Sequence, residues 1–250
     1  MEFQGRERRL LLLAVVAVLP TAFALAQEST STTLTPQEII QRVRAHNRDR
    51  EQRLESYSVR RRYHLWNEVT NKRSELEVEM TFRPPGEVEF RQVRQSGSAF
   101  LARRVFGGMM DAEKKAFTEE NRPRAALSED NYTFASAGEE VLNGRRAYLL
   151  EAKPKRKDTY LIEGKVWIDA EDFAVVKVAG RPAKKPSIWT RKVDLVRAYR
   201  KVGPFWFADR LETISEVLIF GQTRVGIESG DYQVRLRPLA AAANPQKGKP

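Results

Sequence analysis

Glu75-Leu76-Glu77-Val78-Glu79-Met80-Thr81-Phe82 alternates polar and apolar side chains without a break. Successive side chains of a strand point to opposite faces, so this run reads as a strand with one face in a core and the other in water. The same period holds upstream. Tyr57, Val59, Arg61, Tyr63 and Leu65 fall on one face, and Ser58, Arg60, Arg62, His64 and Trp66 on the other. Pro84-Pro85-Gly86 is a turn, and Val88 and Phe90 begin a third strand that reaches about Arg94. Further strands follow beyond the middle of the chain. Asn131 to Phe134 reads as a strand or bend, and Glu139 to Leu142 meets the hairpin signal Asn143-Gly144. Arg146 to Ala152, Thr159 to Ile162, Lys165 to Ile168, Phe173 to Ala179, Ile188 to Tyr199, Trp206 to Ile219 and Thr223 to Arg235 complete the series.

Helix signals are few. Thr35-Pro36-Gln37-Glu38 is a capping box with proline at the first helical position, and Ile39, Ile40 and Val43 follow at helical spacing. A helix is expected from about Pro36 to Leu54, with Asp111 capping a short one over Ala112–Glu120. Consecutive strands without a βαβ rhythm give an antiparallel, mainly β fold of the α+β class. About ten strands are too many to lie flat. The expectation is a curled antiparallel sheet forming an unclosed half-barrel, with the N-terminal helix and short helices over its concave face.

The ends read differently. Arg6, Arg8 and Arg9 precede an apolar run from Leu10 to Ala24, and Ala24-Leu25-Ala26 supplies small residues for cleavage. This is the layout of a secretory signal peptide. The expected organisation is a signal peptide over 1–26, a flexible leader over 27–34, one half-barrel domain over 35–236 and a disordered tail over 237–250. The mature chain is then exported, periplasmic and soluble, where ATP and nicotinamide cofactors are not freely available. There is no cysteine for disulfides or for a lipid anchor. The chain carries 44 basic and 33 acidic residues. An exported basic chain points to anionic lipid head groups, acidic polysaccharide or an acidic protein surface, and not to nucleic acid.

Catalytic patterns are thin. Two histidines without cysteine make no zinc pattern, so no metal and no cofactor is expected. His64 with Glu68 is a weak acid–base pair. Glu163 with Asp169, and Glu212 with Glu216, are weak candidates for the paired carboxylates of a polymer hydrolase. Asp169, Glu171 and Asp172 lack the alternating ligands of a calcium loop and read as a hairpin turn, with Asp169 accepting backbone hydrogen bonds. No catalytic residue is assigned. The bulky apolar groups say more. Met80, Phe82, Phe90, Phe100, Phe106, Met109, Met110, Trp167, Trp189 and Trp206 are many for one sheet and one helix to absorb. A curled sheet has a concave face to fill with side chains, a helix or a ligand. These ten are the candidate lining of an apolar cavity.

Gly164-Lys165-Val166-Trp167-Ile168-Asp169-Ala170-Glu171-Asp172-Phe173 leads into Ala174-Val175-Val176-Lys177-Val178. Gly180-Arg181-Pro182, Lys201-Val202-Gly203-Pro204-Phe205-Trp206, Phe220-Gly221 and Asp231-Tyr232 follow. With Asn131-Tyr132-Thr133-Phe134 and Leu142-Asn143-Gly144-Arg145, this pattern resembles the outer-membrane lipoprotein-sorting superfamily of LolA/LolB-like proteins. It also resembles the related periplasmic regulators of the RseB/MucB type. The resemblance implies an unclosed barrel with a helical lid over an apolar cavity, and a non-enzymatic carrier or sensor of an acyl chain, lipid or lipoprotein. Arg60, Arg61 and Arg62 are, by position only, the candidates for the carriers' lid-contacting arginine and for contact with a head group or partner. The alternative is an envelope regulatory or scaffold protein that binds another protein through its sheet edge or basic surface. Peripheral contact with a membrane is compatible with both.

Overall fold

The structure, a computed structural model, describes residues 34–185, 190–218 and 221–238. The signal-peptide segment, most of the leader, Trp189 and most of the tail lie outside them.

Helix α1 (Pro36–Arg53) begins at the capping box. The Glu38 backbone N–H donates to Thr35 Oγ1 at 3.2 Å, and the Thr35 N–H donates to Glu38 Oε2 at 2.8 Å. Two of the helix's otherwise free amide groups are thereby satisfied. Ile39, Ile40 and Val43 form its buried stripe. The helix stops at Leu54, whose backbone is extended and whose side chain is buried, and the chain passes straight into strand β1 (Leu54–Asn67).

Strands β2 (Lys72–Arg83) and β3 (Glu87–Gly97) complete a meander with β1. Strands β4 (Tyr132–Leu142), β5 (Arg145–Pro154), β6 (Ile162–Asp169), β7 (Val175–Pro182), β8 (Thr190–Val202), β9 (Phe205–Val217) and β10 (Gly221–Leu236) form a second. β10 pairs with β1, which joins the meanders into one antiparallel sheet of order β3-β2-β1-β10-β9-β8-β7-β6-β5-β4. β3 and β4 are its edges, so the sheet does not close into a barrel.

This order fixes where the helices go. The chain leaves one edge at Gly97 and must reach the other at Tyr132. It crosses as α2 (Ala99–Leu101), a π-helical segment (Ala102–Gly107), α3 (Gly108–Ala116) and α4 (Arg122–Ala125). Helix continues through Gly107-Gly108, and Asp111 sits inside the first turn of α3 instead of capping it. Pro123 opens α4, where proline costs no hydrogen bond. The crossing passes tightly over the Pro84-Pro85-Gly86 turn: a Cβ on Gly86 would lie 2.0 Å from the Phe117 carbonyl oxygen.

One sequence expectation fails in β6. Glu163-Gly164 reads as a turn, yet β6 runs through it unbroken from Ile162. Gly164 instead lies opposite Gly180 of β7, and a Cβ on either would meet backbone oxygen of the other strand at 2.2 Å. The glycine pair permits a close approach where the sheet bends.

Two helical covers bury two cores on the concave face. α1 lies over β4–β6, with Ile39, Ile40 and Val43 against Leu150, Val166 and Ile168. The α2–α3 crossing lies over β1, β2 and β10, with Phe106 against Tyr63, Leu76 and Ile227. Leu54, Tyr57, Met80, Phe82, Phe205 and Phe207 make a third cluster. A fourth, of Ala147, Leu149, Trp167 and Val176, lies on the convex face of β5–β7.

Candidate functional site

The register places one row of side chains across the concave floor. Leu76 pairs with Tyr63, Tyr63 with Ile227, Ile227 with Leu211, and Leu211 with Arg197. Arg197 pairs in turn with Val178, Val178 with Val166, and Val166 with Leu150. All are apolar or aromatic except Arg197. The α2–α3 crossing covers the first part of the row and α1 covers the last. Between the covers, over β7–β9, Val178, Leu195 and Leu211 are only half-buried and Arg197 is exposed. This is the open part of the floor.

Arg61 stands one strand-repeat from Tyr63 on the same face and is 6% exposed. Its Nη1 donates to Glu113 Oε2 of α3 at 2.7 Å, which ties the helical crossing to the sheet. Burial alone would push the guanidinium pKa down, but Glu113 outweighs it and the value rises, so Arg61 stays charged. Burial holds the Tyr57 and Tyr63 phenols above their ordinary value, and pushes Tyr232 up to about 12. All three are therefore neutral near pH 7. Arg61 Nε, Tyr63 Oη and Arg50 Nε are buried without a hydrogen-bond partner among the described residues. Arg197 has Tyr199, Glu113 and Arg61 as electrostatic neighbours, and no carboxylate ion pair among the described residues. It is solvent-exposed, on the floor between the two covers.

The ten candidate cavity residues separate. Met80, Phe82 and Phe106 are buried on the concave side, where Phe90, Met109 and Met110 pack against them. Phe100 is 74% exposed at the start of the crossing. Trp167 and Trp206 lie in the convex cluster. Trp167 Nε1 donates to Glu140 at 2.7 Å, Lys177 Nζ sits 4.5 Å from its ring centroid, and Trp206 Nε1 donates to Asp172 at 2.8 Å. Trp189 is outside the described residues. Of the three arginines, only Arg61 faces inward. Arg60 faces outward and lies 3.4 Å from Glu77. Arg62 lines a polar convex depression of about 390 Å³ with His64, Glu75, Glu77 and Glu228. No pattern in the residues singles out Arg197, whose neighbours carry no clear alternation, or Glu113, which reads as one charge on an exposed helix.

The weak catalytic pairs dissolve. His64 lies over Gly226, its cross-strand partner, where a Cβ would come within 2.0 Å of His64 Nε2. Glu68 is held by Arg224 at 3.1 Å. Glu163 pairs with Arg181, Glu212 with Arg210 and Glu216 with Arg191. Asp169 behaves as the turn residue expected: its Oδ1 accepts from the backbone N–H of Glu171 at 3.0 Å and of Asp172 at 2.8 Å. Arg145 donates to both of its oxygens, at 2.6 and 2.7 Å. No group of three or more metal-ligating side chains occurs among the described residues.

No protein-family model matches the chain, and no curated protein matches it. Solved structures similar to it include an outer membrane lipoprotein-sorting protein domain from Vibrio parahaemolyticus. That domain is 16% identical with a TM-score of 0.39, over 78% of this chain and 92% of that one. A LolA superfamily protein from Nitrosomonas europaea is 13% identical with a TM-score of 0.36, over 82% and 96%. The Pseudomonas aeruginosa MucA/MucB complex supplies a third, 12% identical with a TM-score of 0.27, over 82% and 99%. Both groups that the sequence motifs resemble are therefore represented among the similar solved structures.

Proposed function

We propose that the chain is an exported, non-enzymatic carrier or sensor that takes an acyl chain, lipid or lipoprotein against the concave face of its sheet. The observation that carries this reading is the strip between the two helical covers, where Leu195 belongs to neither core and Val178 and Leu211 are only partly buried at the margins of the two. A chain laid there buries methylenes, each worth about 0.8 kcal/mol, without any catalytic group. Met109 and Met110 line the near side of the crossing, and methionine adapts to irregular guests. The Arg61–Glu113 pair is a latch on α3 beside the Phe106 core, so a guest that competes for Arg61 loosens one of the contacts that hold the cover. Export rests on the sequence of residues 1–26. Contact with a membrane surface is supported by the exposed Phe100, which follows the backbone bond from Ser98 N–H to the Arg73 carbonyl.

Native mass spectrometry of protein taken from an envelope fraction tests the reading. The expected spectrum shows a lipid adduct, and the protein takes up a fluorescent fatty acid once stripped. A ligand-free chain that also ignores the fluorescent fatty acid refutes it. A second reading, an envelope regulator that binds another protein, draws on β3 and β4, the edges of the sheet among the described residues, since an edge strand offers unpaired backbone groups to an added strand. A stoichiometric protein partner without lipid, pulled down from envelope extract, decides for that reading.

A further inference from the structure

The open strip is apolar but for one side chain, and that side chain is a cation. Arg197 occupies the centre of a row otherwise built from Tyr63, Ile227, Leu211, Val178 and Val166. A solvated convex position was one residue away in either direction, because side chains alternate along β8. Arg61 adds a second guanidinium group to the same interior. Glu113 is the carboxylate that faces them. Arg197 and Arg61 therefore share one resident anion. The same place holds Arg61 Nε and Tyr63 Oη, on residues that are 6% and 1% exposed; the two side chains act on each other, yet neither atom makes a well-formed hydrogen bond among the described residues. Buried donors without acceptors are costly, and a surplus of guanidinium groups in a partly desolvated hollow favours an anion.

Resting on the carrier or sensor reading above, we infer that the hollow selects an amphiphile with one anionic group, whose charge is received by Arg197 and Arg61 while its chain lies along Leu195, Leu211 and Val178. The shared chemistry is an oxyanion at the end of a hydrocarbon tail, either a carboxylate or a phosphate monoester. Guanidinium binds both in forked geometry.

The test uses the delipidated protein and four probes: dodecanoate, dodecyl phosphate, dodecanol and inorganic phosphate. Each is scored by displacement of a neutral fluorescent acyl probe. Both anionic amphiphiles should bind roughly tenfold to a hundredfold tighter than dodecanol, the range of a charge-assisted hydrogen bond. The tighter of the two identifies the source of the oxyanion. In Arg197→Gln the anionic-to-neutral ratio should fall towards one, and Arg197→Lys should restore part of it. Arg197 is exposed, so neither change threatens folding. A ratio near one in the native protein, or a ratio that Arg197→Gln leaves unchanged, overturns the anion site while leaving acyl binding intact. Inorganic phosphate that competes as well as dodecyl phosphate overturns the amphiphile. Failure of dodecanol and both anionic amphiphiles alike removes the carrier reading itself.

Discussion

Deleting Glu113 should damage the fold more than deleting Arg61, although the two make one ion pair. The Arg61 side chain is 7% exposed and the Glu113 side chain 26%. Glu113→Ala strands a buried guanidinium whose Nε already lacks a partner, and stranding a buried charge costs about 3–5 kcal/mol. Arg61→Met keeps the volume and leaves a carboxylate that can turn to water, so its cost is that of a charged hydrogen bond, about 1.5–3 kcal/mol. The double variant Arg61→Met/Glu113→Ala removes the charges together and should cost clearly less than the two single costs summed. Urea unfolding of all four proteins at pH 7 gives the coupling. For a domain of this size the Glu113→Ala loss corresponds to a fall in Tm of roughly 6–20 °C. Single costs that simply add in the double variant, or a Glu113→Ala cost below about 1 kcal/mol, would refute the latch.

Thr35→Ala removes the cap of α1 and should cost about 1 kcal/mol by chemical denaturation, with helix content lost at the N-terminal end. Phe106→Ala empties the buried centre of the crossing and should cost about 3–5 kcal/mol in the same measurement. Gly226→Ala should destabilise by about 1–3 kcal/mol through the His64 ring, and His64→Ala should rescue it, which a packing role predicts and a catalytic one does not. Burial pushes the Asp169 carboxyl up, but the Arg145 guanidinium and the backbone N–H groups of Asp172 and Glu171 bring it below the ordinary 3.8. The folded state thus binds this proton less readily than the unfolded chain, so its contribution is full above about pH 4 and is lost as pH falls through the folded value. Asp169→Asn should flatten the acid limb of a stability-against-pH curve. His46 is held below 6.5, chiefly by burial, so its contribution is present above that pH and declines below it; His46→Phe should remove that slope.

Much of the architecture was legible in the residues. The alternation over Glu75–Phe82 appears as β2, the capping box starts α1 at Pro36, and Asn143-Gly144 turns β4 into β5. These signals are local, set by the period of side chains and by bonds within four residues, so one chain segment carries each complete. Position along the sheet was harder. Val166, Trp167 and Ile168 are all buried, because both faces of β6 are covered, and a strand covered on both faces shows no alternation from which to place Trp167 on the convex side. Arg60, Arg61 and Arg62 could be sorted by parity once Tyr63 was known to face inward, but parity alone does not name Glu113 as partner, 52 residues away.

By itself the sequence determined most of the strands and turns, the first helix and the antiparallel class, because those follow from backbone geometry and side-chain periodicity over short stretches. Only the tertiary structure decided which face of each strand became the interior, and which part of it the crossing from β3 to β4 leaves uncovered. The pairing of β1 with β10 sets both, since it fixes the two edges and the route the chain must take between them. Arg197 acquires its meaning from that route. On β8 alone it is one more basic residue; in the assembled row it is the lone charge on an open apolar floor.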